Sequence, residues 1–221
     1  MSGSATDLRT PAPLVRPILR GWLHLVAFFV LFACSPILLA RCRTWAQVGW
    51  VLCFLVGVGA MLMTSALLHR VNWTPSQRQA WRRADHSTIF LAITGTYFAL
   101  AGLTMHGTIR LVLLIIVGVS TLVGIAIRQL SMNAPKWANT IPFLAMSWTA
   151  AVVMLQMYRG GGPLCFAFIV GGGAAYSIGA VFYGTKRPKL SPRVFGYHEL
   201  FHAFTLLGVG LHFAAVYVAL R

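Results

Sequence analysis

The sequence contains few acidic residues. Its 221 residues include 18 Lys and Arg but only 3 Asp and Glu, which gives a formal net charge of +15 at pH 7. The acids are Asp7, Asp85 and Glu199. Because Asp7 lies in the N-terminal stretch, acid/base chemistry in the body of the chain must use Asp85, Glu199, a histidine or bound water.

Charged residues of both signs together are also scarce. They make up 10% of the chain, against about a quarter in soluble domains, while 58% of the residues are hydrophobic. The basic residues lie mainly in short stretches between apolar runs, which is typical of anchors that face an anionic membrane surface. We therefore expect membrane lipids as partners, including the anionic lipids of the inner leaflet, and no nucleic acid.

The cysteines show no metal-binding pattern. Cys34, Cys42, Cys53 and Cys165 contain no C-x-x-C spacing, which argues against a thiolate metal site. A disulfide between Cys34 and Cys42 at the outer surface is one interpretation. We favour the other, in which each cysteine is a small apolar packing residue.

Long apolar runs fill the rest of the chain. Seven segments can be drawn, each about 20 residues long, which at about 1.5 Å per residue crosses a hydrocarbon core of about 30 Å. They cover residues 21–40, 45–69, 86–105, 109–127, 137–157, 163–183 and 197–220. The pattern predicts an all-α integral membrane protein, a seven-transmembrane helix bundle over residues 21–221. The polar, Pro-containing residues 1–20 are predicted to form a disordered tail.

The distribution of Lys and Arg predicts the orientation. With seven spans, thirteen basic residues share the side of the tail, and five lie on the other side. Those five are Arg41, Arg43, Arg110, Arg159 and Arg221. Basic residues favour the cytoplasmic side, so we expect a cytoplasmic N-terminus and an external C-terminus.

Histidines at helical spacing indicate a site. His198 and His202 are four residues apart at the start of the seventh segment, so both rings lie on one helix face and can bind one metal ion. Ser65 and His69 repeat this spacing near the end of the second segment. Asp85 precedes the third segment directly.

The predicted topology brings these residues together. The second segment ends on the cytoplasmic side, and the third and seventh begin there, so all three places lie at one membrane depth. Three nitrogen ligands and a water suit Zn²⁺. We predict His69, His198 and His202 as zinc ligands, with Asp85 and Ser65 as catalytic residues that hold the water.

Each residue also has a structural interpretation when it is considered alone. Asp85 could be the N-cap of the third helix, since Asp before an apolar run is a common cap. The Ser65 hydroxyl could bond back to its own helix, and His69 could lie at the membrane interface beside Arg70. The combined pattern favours the metal site.

The string HELFH at 198–202 matches the H-E-x-x-H helix of zinc proteases, in which the Glu is the general base. No Asp follows residue 85, so the downstream acidic ligand of an intramembrane protease is missing. Among the other histidines, His24 could contact one of the metal ligands and hold it in place. His106 and His212 are expected to be packing or interfacial residues, and His86 lies on a different helix face from Asp85.

Four strings resemble the hemolysin III family, within the progestin and adipoQ receptor (PAQR) superfamily. They are RGWLH (20–24), SALLHR (65–70), RRADHSTIFLAITGTYF (82–98) and KRPKLSPRVFGYHELFH (186–202). The resemblance implies a seven-helix bundle with a cytoplasmic N-terminus and a buried zinc near the cytoplasmic side. It implies His69, His198 and His202 as ligands, and Ser65 and Asp85 as the residues that complete a water network.

The resemblance also suggests a function, because the superfamily is similar to alkaline ceramidases. It implies a zinc-dependent hydrolase of a lipid amide bond, in the inner or plasma membrane of a cell. The alternative is a non-catalytic sensor, stress-response or cytolysis-related protein in which zinc only joins helices 2, 3 and 7. In one departure, the family often has a Pro soon after the Gly-Thr-Tyr of the third span, where this chain reads GTYFAL.

Overall fold

The structure is a computed structural model that describes residues 17–130, 136–191 and 193–221, with backbone alone for residues 136–140. The described residues are helical through most of their length. The helices are α1 (Trp22–Leu39), α2 (Trp45–Arg70), α3 (Pro75–Thr104), α4 (Gly107–Leu130), α5 (Lys136–Trp148), α6 (Met154–Thr185) and α7 (Tyr197–Ala219). A short 3₁₀ helix, Thr149–Val153, joins α5 to α6.

Six helical segments within the described residues are long and apolar enough to cross a membrane. α2 and α3 form the centre of the bundle, whereas α1 and α4 expose rows of large apolar side chains on its outside. On α4 these include Leu111, Ile115, Leu122 and Ile127. Exposed apolar rows of this kind suit a lipid environment and would be costly in water. The chain is therefore a multi-pass membrane protein.

One of the six segments, Ile141–Thr185, contains a reversal of the chain. At Gly162 the backbone leaves the helical region, with φ 78° and ψ 174°, and Pro163 follows. The indole Nε1 of Trp148 donates to Ser177 Oγ at 3.1 Å, although 29 residues of straight helix would separate them by roughly 44 Å. The chain therefore folds back at Gly162, between the predicted fifth and sixth segments.

Glycines bring α2 and α3 into backbone contact. A Cβ atom added at Gly57 would lie 2.5 Å from the Leu91 carbonyl oxygen, and one at Gly95 would overlap the Cys53 carbonyl. Small residues at such crossings allow close helix packing in membranes. Near the same interface, the Thr64 and Thr88 hydroxyls hydrogen-bond at 2.7 Å. This contact sets the end of α2 beside the first half of α3.

α3 begins earlier than its apolar run. Pro75 occupies the first turn, and Thr74 and Gln77 form a capping box that satisfies the first backbone N–H groups. Asp85 therefore lies within the helix, ten residues after Pro75. The structure excludes the interpretation of Asp85 as an N-cap, and Thr74 has that role.

The end of the predicted tail is part of the fold. The backbone N–H of Ile18 donates to the Arg193 carbonyl at 3.0 Å, and that of Leu19 to the Val194 carbonyl at 3.3 Å. Residues 17–20 thus lie against the segment that precedes α7. The rest of the predicted tail, residues 1–16, lies outside the described residues.

Candidate metal centre and cavity

Three histidine rings meet between the end of α2 and the start of α7. His198 Nε2 lies 2.7 Å from His202 Nε2 and 3.2 Å from His69 Nε2. One ring nitrogen from each residue can be chosen so that all lie within 4.8 Å of one another. The structure thus brings together the three histidines that were predicted as ligands.

The chemistry of this histidine cluster suits a metal ion. Neutral imidazole nitrogens are preferred ligands of Zn²⁺ and of several other divalent transition metals. Three protein ligands is the number found in catalytic zinc sites, where a fourth position is left for water or substrate. The residues therefore fit a metal ion, and they do not by themselves choose zinc.

Ser65 and Asp85 lie beside the histidine cluster. Ser65 is buried one turn before His69 on α2, and its hydroxyl lies near the Asp85 carboxyl group on α3. Both residues line the same cavity as the three histidines. The cluster end of the cavity thus combines imidazole nitrogens, one carboxyl group and one hydroxyl.

The segment Arg20–His24 contacts both helices that carry the histidine cluster. Gly21 has a φ of 81°, and a Cβ atom there would lie 2.8 Å from His69 Cβ, so the close approach to α2 requires glycine. The Arg70 guanidinium stacks on the Trp22 ring, with the guanidinium carbon 4.2 Å from the ring centroid. We call this segment, Arg20–His24, the N-terminal brace.

The brace reaches α7 through two side chains. Arg20 Nε donates to the carboxylate of Glu199, which is fully buried. The His24 Nε2 atom lies 2.9 Å from Nδ1 of His202. Four of the five residues of the string RGWLH therefore contact the end of α2 or the start of α7.

Glu199 faces away from the histidine cluster. Its carboxylate accepts from Arg20 and, at 2.8 Å, from the backbone N–H of Gly196, where it caps the start of α7. Adjacent helical residues point about 100° apart, so a Glu between His198 and His202 does not share their face. The structure thus gives Glu199 a structural role and opposes the zinc-protease interpretation of HELFH.

The remaining histidines lie elsewhere in the bundle. His86 Nδ1 lies 2.7 Å from a nitrogen of the Arg128 guanidinium. His212 Nε2 lies 3.2 Å from the Ile169 carbonyl oxygen, and His106 lines a separate small cavity of about 300 Å³. None of these three belongs to the histidine cluster. All four cysteines are free thiols, so Cys34 and Cys42 are not joined.

A cavity of about 460 Å³ extends from the histidine cluster into the bundle. Its far part is lined by apolar and aromatic side chains, among them Leu100, Met157, Ile169 and Tyr176. His202 and His212, ten residues apart on α7, both line it, which makes it about 15 Å long along that helix. Its dimensions and lining suit a lipid chain whose polar group lies at the histidine cluster.

Sequence reasoning missed the brace. It gave His24 a supporting role and considered Glu199 only as a possible acid or base. The Arg20–Glu199 and His24–His202 contacts span 179 and 178 residues, so neither pairing was predicted. The sequence signal for these contacts is that the two residues on each side are separated by a similar number of positions. Arg20 and His24 are four residues apart in the sequence, and their partners Glu199 and His202 are three apart.

The fold and the histidine cluster together define a class, that of multi-pass helical membrane proteins with a possible metal site at one end of the bundle. Residues 13–213 match the haemolysin-III-related family, so the chain belongs to that family, within the PAQR superfamily. The family predicted from the four strings is thereby confirmed.

Two bacterial relatives support this assignment. The chain is 27% identical to Hemolysin-3 of Bacillus cereus over 161 residues, which cover 73% of this chain and 70% of the relative. It is 26% identical to the Hemolysin-3 homolog of Bacillus subtilis (strain 168) over 191 residues, which cover 86% and 84%. The similarity therefore extends over most of each chain.

Proposed function

We propose that the protein is a zinc-dependent hydrolase of lipid amides. The observation that carries the proposal is the joint position of the histidine cluster, Asp85 and Ser65 at the polar end of an apolar cavity. A metal ion that only joined helices would need the histidines. It would need neither an adjoining carboxyl group nor a cavity that fits a chain.

The roles of the residues follow from their chemistry. His69, His198 and His202 would hold the zinc, which when bound supplies a Lewis acid and lowers the pKa of water. Asp85 accepts the proton of the water that attacks the amide carbonyl, and delivers it to the leaving amine nitrogen. Ser65 orients the Asp85 carboxyl group. The products are a fatty acid and an amine-bearing lipid.

The lipid chain would occupy the apolar part of the cavity. The site lies inside the bundle, so a substrate drawn from the bilayer keeps its acyl chain in an apolar environment throughout binding. The acyl carbonyl would then lie at the histidine cluster. Lipid amides of the ceramide type have this arrangement of one amide joined to a long chain.

We place the protein in the cell membrane with seven spans and a cytoplasmic N-terminus. The reversal at Gly162 divides Ile141–Thr185 into two passes, which supports the count of seven. The cluster end would then face the cytoplasm, where the basic residues of that end meet the anionic inner leaflet. A C-terminal fusion to periplasmic alkaline phosphatase should be active, and a reporter that requires the cytoplasm should be inactive. The reverse result would show that the number of spans differs from seven by one.

The hydrolase proposal is tested with purified protein in detergent. We expect release of free fatty acid from at least one member of a panel of ceramides and other lipid amides, measured by mass spectrometry. Release should stop when zinc is removed by a chelator and resume when zinc is returned. If no lipid is cleaved, but zinc removal lowers the melting temperature, a structural zinc becomes the better interpretation.

A further inference from the structure

His24 makes an unusual contact for a residue of the first helix. Its ring lies 4.1 Å from the His202 ring, centroid to centroid, with the planes 79° apart. The two facing nitrogens, His24 Nε2 and His202 Nδ1, are 2.9 Å apart, which is a hydrogen-bond distance. His24 is only 3% exposed, so this bond is shielded from bulk water.

The position of the bond on His202 has a chemical consequence. His202 directs Nε2 to the histidine cluster and Nδ1 to His24. A neutral imidazole carries one proton, and a ring that binds metal through Nε2 carries it on Nδ1. Nδ1–H of His202 is then the donor and Nε2 of His24 the acceptor.

The other nitrogen of His24 agrees with this assignment. If Nε2 of His24 accepts, its own proton is on Nδ1. That atom is buried and has no hydrogen-bond partner within the described part of the chain. No competing protein contact there draws the ring away from His202. The brace also fixes the backbone just before His24 through Arg20 and Gly21.

We propose that His24 is a positioning residue for the metal site. It holds the His202 ring in the orientation and tautomer that present Nε2 to the ion. Metal-binding histidines usually donate their second N–H to a carboxylate, a backbone carbonyl or water. A neutral imidazole in that place orients the ring without adding negative charge. This inference rests on the metal site of the proposed function, but it does not depend on the hydrolysis.

The test compares two replacements of His24 in the full-length protein. His24→Leu removes the acceptor, whereas the side-chain oxygen of His24→Gln can still accept from Nδ1–H of His202. His212→Leu is the matched control, because His212 is also a buried histidine that lines the cavity but lies outside the cluster. Zinc affinity is measured by competition with a calibrated chelator. The melting temperature of each metal-free variant shows whether it is folded.

We expect His24→Leu to weaken zinc binding by about 10- to 100-fold, the usual cost of losing such a partner. His24→Gln should recover most of the affinity, and His212→Leu should remain near wild type. Substituted Co²⁺ gives a second readout. Its visible absorption bands should change in His24→Leu and return toward wild type in His24→Gln, because they report ligand orientation.

Three results would overturn the proposal. One is zinc affinity in folded His24→Leu within about twofold of wild type, well short of the usual loss. Another is an equal loss in the Gln and Leu variants, which would mean that ring packing matters and the hydrogen bond does not. The third is wild-type protein that binds no zinc, which would also remove the proposed metal site. If wild type binds zinc with the expected variant pattern but cleaves no lipid, His24 keeps its role and only the hydrolase proposal fails.

Discussion

The two ends of the bundle use basic side chains in different ways. At the end opposite the histidine cluster, guanidinium groups bind backbone carbonyls. Arg41 donates to Leu220 O at 3.0 Å, and Arg221 donates to Gly161 O at 2.8 Å. Leu220 is the C-cap of α7, and Gly161 directly precedes the break at Gly162. These arginines satisfy carbonyl groups that helix ends leave unpaired.

At the cluster end, the ionisable side chains contact one another. His69, His198 and His202 direct nitrogens to a common point, and Arg20 pairs with Glu199. Helix termini explain the arginines of the opposite end, but they do not explain three imidazoles that face each other at membrane depth. Ionisable groups there are costly and indicate function. The comparison shows that basic side chains bind helix-end carbonyls at one end of the bundle and contact other ionisable side chains at the other.

The largest expected effect is on metal content, and it tests the difference between the two ends directly. Wild type should contain about one zinc per chain. His198→Ala and His202→Ala should each lose most of it, because each removes a ligand. His106→Ala and His212→Ala should keep it, since their rings lie outside the cluster. Metal analysis of the purified variants provides the measurement. Equal zinc in all four would contradict the assigned site.

The next effect concerns the carboxyl group of the cluster end. Asp85→Asn should fold and retain zinc, but should lose lipid amidase activity by at least roughly a hundredfold, as expected for a missing proton acceptor. Because Asp85 lies inside α3, the loss of a helix cap cannot produce this result. Fatty acid release under single-turnover conditions measures it. Unchanged activity in this variant would remove Asp85 from the mechanism.

A third prediction concerns packing at the opposite end. A Cβ atom at Gly160 would overlap the backbone carbonyl of Thr104, whereas one at Gly173, also on α6, would meet nothing within 4 Å. Gly160→Ala should therefore destabilise the fold by about 1–3 kcal/mol. Gly173→Ala should be neutral or slightly stabilising.

Thermal unfolding in detergent compares these two variants. Zinc content should stay the same in both of them, since the change lies far from the cluster. Equal melting temperatures would show that α3 and α6 pack less closely at Gly160 than in the structure.

The smallest effect on chemistry is expected at the second carboxyl group of the cluster end. Glu199→Gln makes the same change from carboxylate to amide as Asp85→Asn, but on a residue that faces Arg20 and Gly196. Loss of the buried charge pair should lower the melting temperature. The rate should stay well above the hundredfold loss that a missing general base causes. A rate as low as that of Asp85→Asn would show that Glu199 takes part in the chemistry, as the Glu of H-E-x-x-H does.

Features with a local signal were predictable from the sequence. The predicted segments 45–69 and 197–220 agree with α2 (Trp45–Arg70) and α7 (Tyr197–Ala219) within one residue. In both, the apolar run and the helix coincide. The four-residue spacing of His198 and His202 likewise placed two rings on one face, and the structure shows them in contact.

Features that depend on caps or on distant partners were harder to predict. The start of α3 was placed at residue 86, but its first turns are polar and are stabilised by the capping box of Thr74 and Gln77. The pairing of Arg20 with Glu199 joins residues 179 positions apart, and hydrophobicity carries no signal for such a contact. The orientation in the membrane remains a prediction from charge.

The N-terminal brace has a consequence for the order of assembly during synthesis. Chains emerge N-terminus first, so α1 and α2 are made long before α7. His198 and His202 lie on the last helix, so the contacts of His24 and His69 with them form only after α7 has been made. The completion of the histidine cluster and the closing of the brace are therefore the last steps of assembly. A chain that stops before α7 would contain six of the seven expected spans but only one of the three histidines of the cluster.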